Sequence, residues 1–140
     1  MKKYKILTLI PFLLFLHSGI FAQDLEKLVL KPGFKISIFA ENLSSPRQIA
    51  EGKNGTIFVG ERTGQIIALV DSDKNGEADY KKMIAKDLEY STGVSIFNRD
   101  LYFSEVSKIW KIENIESWLN DNISNSDLPK KVLVRSEEHT

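Results

Sequence analysis

One stretch, PRQIAEGKNGTIFVGERTGQIIALV at Pro46–Val70, is followed by an imperfect second copy, STGVSIFNRDLYFSEVSKIWKI at Ser91–Ile112. Ile57-Phe58-Val59-Gly60-Glu61 in the first aligns with Leu101-Tyr102-Phe103-Ser104-Glu105 in the second, so Glu61 and Glu105 lie 44 residues apart. Each copy reads as an apolar run, an Asn, Gly or Asp turn, an alternating strand, a short polar turn and a further strand. That order predicts a meander of antiparallel strands, made twice. Chance likeness within a β-rich chain is the alternative. It is weakened because strands and turns recur in the same order.

The flanks extend the pattern. Phe34-Lys35-Ile36-Ser37-Ile38-Phe39-Ala40 alternates apolar with polar and predicts a half-buried strand carrying Phe34, Ile36 and Ile38 on one face. In the first copy Ile49-Ala50, Thr56–Glu61 and Gln65–Val70 read as strands, with Ala78–Ile84 as an outer fourth. The second copy offers Gly93–Phe97, Leu101–Glu105, Lys108–Ile112 and, as its outer strand, Lys131–Val134. Between the last two, Ile115, Trp118 and Leu119 recur at helical spacing after Asn114 and predict a short amphipathic helix. Trp110 and Trp118 are most simply packing residues. A period of roughly 40–50 residues is that of a β-propeller blade. The fold expected is therefore all-β, with about two blades plus one closing strand at Phe34–Ala40. A closed ring needs about four to eight blades, so the chain reads as part of a larger propeller.

The termini are expected to stand apart from residues 23–134. Lys2, Lys3 and Lys5 precede the apolar run Ile6–Leu16, and Ile20-Phe21-Ala22 ends in a small residue, the pattern of a secretory signal peptide over residues 1–22 cleaved near Ala22. An uncleaved anchor would need about 20 apolar residues, and Pro11, His17 and Ser18 interrupt this run. Cleavage removes three of the 19 Lys+Arg and none of the 19 Asp+Glu, leaving the mature chain slightly acidic. With no basic patch, nucleic acid is not an expected partner. With no cysteine, an exported chain does without disulfides. Secretion or a periplasmic location is expected, without membrane contact after cleavage. At the other end RSEEHT, residues 135–140, continues no pattern and resembles the translation of a sequencing-library adapter, so it reads as a non-native tail.

The sharpest local motif is Asp71-Ser72-Asp73-Lys74-Asn75-Gly76-Glu77-Ala78-Asp79. Calcium takes six to eight oxygens, and alternating short carboxylates and amides around a glycine turn supply them. Asp71, Asp73 and Asn75 would give side-chain oxygens, Glu77 its carbonyl and Asp79 a direct or water-mediated contact. An EF-hand would place a glutamate at the twelfth position, where Lys82 stands, so the choice lies between a calcium loop in a hairpin and an Asx-rich turn capping its own backbone. Glu61 and Glu105, at equivalent strand ends, are expected to receive loop N–H groups rather than to act as acid or base. Arg47, Gln48, Ser91 and Thr92 sit where the chain approaches each innermost strand, close to a central channel, with solvated loop positions as the plainer reading. Residues 23–134 hold no histidine, and no catalytic constellation is complete.

With those residues in view, the chain resembles the N-terminal part of the glucose/sorbosone dehydrogenase family, secreted six-bladed propellers of which many use pyrroloquinoline quinone (PQQ). The resemblance rests on Lys31-Pro32-Gly33-Phe34-Lys35-Ile36, Phe39-Ala40, Pro46-Arg47-Gln48, Gly55–Gly60, the Asp71–Asp79 loop, Thr92-Gly93-Val94, Leu101–Glu105 and Ile112–Glu116. It implies hydride transfer from a sugar's anomeric carbon, or from an aldehyde hydrate, to a quinone above the channel. It implies a histidine base beyond the end of this chain, and calcium in cofactor and structural sites. Arg47, Gln48 and Thr92 are the positions it offers to the cofactor. Where some members carry a cofactor-contacting glutamine and asparagine, this chain has Ser91 and Thr92. A non-catalytic propeller binding a glycan or a protein is the competing expectation, since fold does not dictate function.

Overall fold

A computed structural model describes residues 25–91 and 93–136. Residues 1–24, with the expected signal peptide, Thr92 and residues 137–140 lie outside them. The chain divides at Ile36 into two units. In the first, Leu25–Lys27 makes one 3-10 turn, and the Phe34 N–H closes a turn onto the Lys31 carbonyl at 3.2 Å. The second, from Ser37, holds both copies of the repeat.

Strands β1 (Pro46–Glu51), β2 (Ile57–Glu61), β3 (Gln65–Val70) and β4 (Tyr80–Ala85) form one antiparallel four-stranded sheet in chain order. Strands β5 (Gly93–Phe97), β6 (Asp100–Ser104), β7 (Lys108–Ile112) and β8 (Val132–Ser136) form a second of the same order. The all-β expectation and the doubled meander hold. The turns explain why the two copies drift slightly in sequence. Five residues, Gly52–Thr56, join β1 to β2, with only Gly55 of the Asn54-Gly55 pair at positive φ, whereas Asn98-Arg99 alone joins β5 to β6. Ladder partners nevertheless match: Ile49 faces Val59 as Val94 faces Phe103.

The sheets stack face to face through β1, β2 and β5. Side chains alternate across a pleat, so Phe58, Ile66, Ala68 and Ile84 share one face of the first sheet. They pack against Val94, Leu101, Phe103 and Ile112 of the second, with Ile115 and Leu119 completing one buried cluster. The opposite face of the first sheet carries Val59, Ile67 and Leu69, covered by Phe39, Ala40 and Leu43. Helix α1 (Ile115–Asn122) connects β7 to β8. Its first N–H donates to the Arg99 carbonyl, and Asn114, in the left-handed region at φ 45°, makes no side-chain cap. Trp110 and Trp118 both pack on the central cluster, as expected.

Two expectations need correction. Phe34–Ala40 is not a strand: among the described residues nothing offers it a ladder, and one hydrogen bond, from the Ala78 N–H to the Phe39 carbonyl at 2.8 Å, stands in for one. Phe34 and Ile36 are exposed, and burial begins only at Ile38. Arg135 and Ser136, placed with the tail, end β8 and pair with Ile109 and Lys108.

Candidate functional site

The loops leading into β1 and β5 are built alike, and a glutamate holds each. Glu61 is buried, and its Oε1 accepts the Ser44 N–H at 2.7 Å. Glu105 is buried too; its Oε2 accepts the Glu89 N–H at 2.6 Å and its Oε1 the Trp110 indole N–H at 2.8 Å. Ser44 and Glu89 are 45 residues apart, as are Asn42 and Asp87, and Ser45 and Tyr90; all four of the latter have φ between 56° and 57°. The repeat therefore reaches back to Asn42 and Asp87, further than the apolar pattern shows. Asn42-Leu43 against Asp87-Leu88 was its legible trace. A carboxylate that accepts an N–H at a chain reversal satisfies a donor no strand can reach. Burial alone would raise the Glu105 carboxyl, but the Glu89 N–H, the Trp110 indole and Lys108 outweigh it and hold the group below its ordinary value. Both glutamates receive loop N–H groups, as expected.

These pins set the approach to the innermost strands. Pro46 faces Glu61 and Gln48 faces Gly60, so Arg47 is the extra residue of a β-bulge. Bulges re-aim side chains at sheet edges. Arg47 and Gln48 are both exposed. The Gln48 carboxamide crosses to the second sheet, where a Cβ built on Gly93 would lie 3.6 Å from its Oε1 and 2.9 Å from the Ser104 Oγ. A shallow cleft of about 230 Å³ opens there, bounded by Gln48, Gly93, Ser95, Tyr102, Ser104 and Ile109. Neighbouring Ser91 is buried and its hydroxyl has no hydrogen-bond partner. Gln48 thus borders this cleft, Arg47 precedes it in the bulge and is not among the cleft's lining residues, and Thr92 lies outside the described residues. One guanidinium and one carboxamide suit a carboxylate edge of an anionic planar cofactor, which is the extent of the fit to a quinone acid.

The Asp71–Asp79 loop joins β3 to β4. Carboxylate oxygens of Asp71, Asp73 and Asp79 lie within 4.8 Å of one another, a spacing that oxygens around one calcium ion would have. The loop is also satisfied internally. Asp71 accepts the Asn75 N–H at 3.2 Å and the Gly76 N–H at 2.9 Å, while Asn75 Oδ1 accepts the Glu77 N–H at 2.8 Å. Asp79 accepts from the hydroxyl and the N–H of Ser72, which lower its pKa. Gly76 supplies the positive φ, at 92°. The donor set suits a hard cation, and the turn also stands without one.

Two features escaped the sequence. Glu116 of α1 accepts the Asn54 N–H at 2.9 Å, tying the second repeat's helix to the first repeat's turn. Lys82 is buried, donating to the Asn125 carbonyl at 2.5 Å beneath the Trp118 ring. A lysine in an outer strand carries no pattern that announces either contact.

No family model matches this chain. An uncharacterized protein of Borreliella burgdorferi (strain B31) is 32% identical to it over 116 residues, 81% of this chain. The chain spans 29% of that protein's length.

Proposed function

We propose that this chain supplies two adjacent blades of an exported six-bladed β-propeller of the glucose/sorbosone dehydrogenase type. The observation that carries the reading is the pair of like sheets. Their innermost strands β1 and β5 lie side by side, and matching glutamate pins hold the loops that enter them, the one before Arg47 and Gln48 by Glu61 and the one before β5 by Glu105. Motif order along the chain supplies the rest. In a propeller the entry to the innermost strand faces the channel mouth, where ligands of such folds collect.

The quinone, when bound, supplies the hydride acceptor for oxidation of a sugar or aldehyde. This chain's part is to bind and to orient. Arg47, at its bulge, would pair with a carboxylate of the quinone, and Gln48 would offer its carboxamide beside Gly93. The Asp71–Asp79 loop takes a structural calcium ion, remote from the chemistry.

Dye reduction by the complete gene product, supplied with PQQ and calcium and offered aldoses and aldehydes, tests the reading. The expected result is turnover that falls at least tenfold in Arg47→Ala. Residues 23–134 carry no histidine to act as base, so this chain alone gives none. Failure of the complete product to bind quinone, with retention on an immobilised glycan, would replace the enzyme with a binding propeller.

A further inference from the structure

The triplet Lys-Asn-Gly occurs at Lys53-Asn54-Gly55 and again at Lys74-Asn75-Gly76. An asparagine before glycine is chemically labile, because no Cβ on the next residue shields its backbone nitrogen from the carboxamide. Both asparagines are exposed, so neither sequence nor accessibility separates the two sites. Hydrogen bonding does. Asn75 Nδ2 donates to Asp73 at 3.0 Å, its Oδ1 accepts the Glu77 N–H at 2.8 Å, and the Gly76 N–H donates to Asp71 at 2.9 Å. Every group that would react is held. At the other site, among the described residues, the Asn54 carboxamide has no hydrogen-bond partner. Only the Gly55 N–H is engaged, by the Gly52 carbonyl at 3.1 Å. Nothing lies within 4 Å of where a Cβ on Gly55 would stand.

We infer that Asn54 is a site of spontaneous deamidation, and that the modification unties helix α1 from the first sheet. The Gly55 nitrogen attacks Asn54 Cγ; a C–N bond forms and the Cγ–Nδ2 bond breaks. Nδ2 takes up the Gly55 proton and leaves as ammonia, closing a succinimide. Water then opens the ring at either carbonyl. One opening leaves aspartate and the other isoaspartate, whose main chain runs through the former side chain. Water is the sole co-reactant.

Glu116 makes the turn sensitive to that change. Its Oε1 accepts the Asn54 N–H at 2.9 Å, and a Cβ built on Gly52 would lie 2.7 Å from its Cδ, so this carboxylate sits directly against the turn. Either product sets a second carboxylate on the same turn, and like charges repel. Isoaspartate also adds a main-chain atom between Gly52 and Thr56, whose ends are joined by the Gly52 N–H donating to the Thr56 carbonyl at 2.8 Å. The inference is independent of the dehydrogenase reading.

The complete gene product, kept folded at mildly alkaline pH and sampled over days, tests it by tryptic peptide mapping. Trypsin cuts after Lys53, Arg62, Lys74 and Lys81, so each asparagine begins its own peptide, residues 54–62 and 75–81. Peptides left uncut at Lys53 or Lys74 are counted with them. Conversion replaces NH₂ by OH, which mass spectrometry reads. Opening the two further bonds at Asn75 is expected to make it at least about tenfold slower than Asn54. In urea neither turn persists, and the two rates are expected to converge because the triplet is the same. Equal rates in the folded protein overturn the site. Asn54→Asp supplies one product directly. It is expected to lower the urea midpoint, and the drop is expected to shrink when Glu116→Gln is made with it. No drop, or a drop indifferent to Glu116→Gln, overturns the untying of the helix.

Discussion

Replacing Glu105 by alanine removes the acceptor for two fixed donors at once. The Glu89 N–H at 2.6 Å and the Trp110 indole at 2.8 Å both lose their partner, and Lys108 Nζ, 3.5 Å from Oε1, loses its counter-charge. Leaving one buried donor unpaired costs about 1–3 kcal/mol. The Lys108 contact is half in solvent and adds little. Both bonds are only part-buried, so Glu105→Ala is expected to cost about 2–4 kcal/mol, nearer the lower end if water enters the vacated space. Glu105→Gln keeps one good acceptor and turns an NH₂ against one donor, for about 2 kcal/mol. Urea denaturation followed by tryptophan fluorescence measures both. Trp110→Phe made singly and with Glu105→Gln closes a cycle whose coupling should be about 1 kcal/mol. Glu113→Ala, an exposed control whose partner is Lys111, should shift stability by no more than about 0.5 kcal/mol. If Glu105→Ala proves as mild as that control, the pin has no energetic role and the account of the repeat's loops fails.

The same carboxyl sets a pH dependence. Its pKa is lower folded than unfolded, so its contribution is fully present above the unfolded value and is lost as pH falls through the folded one. Acid titration of stability should show that loss in wild type and not in Glu105→Gln. Gly64→Ala should cost about 2 kcal/mol or more, read as a lower urea midpoint, because its φ is +85° and the new Cβ would meet the Leu88 carbonyl oxygen at 2.2 Å. Calcium should raise the melting temperature of wild type and leave Asp73→Ala unmoved; equal shifts in the two would remove the metal from the Asp71–Asp79 loop. Arg47→Ala should leave the melting temperature within the scatter of surface substitutions, since its side chain is exposed at a bulge.

Strand identity was legible in the sequence because alternation of apolar and polar residues is a local property. Val94-Ser95-Ile96 and Leu101-Tyr102-Phe103 announce their two faces without reference to anything distant. The Asx turns at Asp71 and Asn75 were legible for the same reason, since those side chains bond to backbone a few residues on. Which face meets which neighbour was not local. Phe34–Ala40 alternates as well as any strand here, yet among the described residues it joins no ladder, because a strand exists only where another chain segment presents a matching edge. The donors that Glu105 receives come from Glu89 and Trp110, and only the closing of the β6–β7 turn and the return of the preceding loop bring them together. Periodicity thus determined the elements and their doubling. Tertiary structure decided their partners, through donors and surfaces that approach from distant parts of the chain.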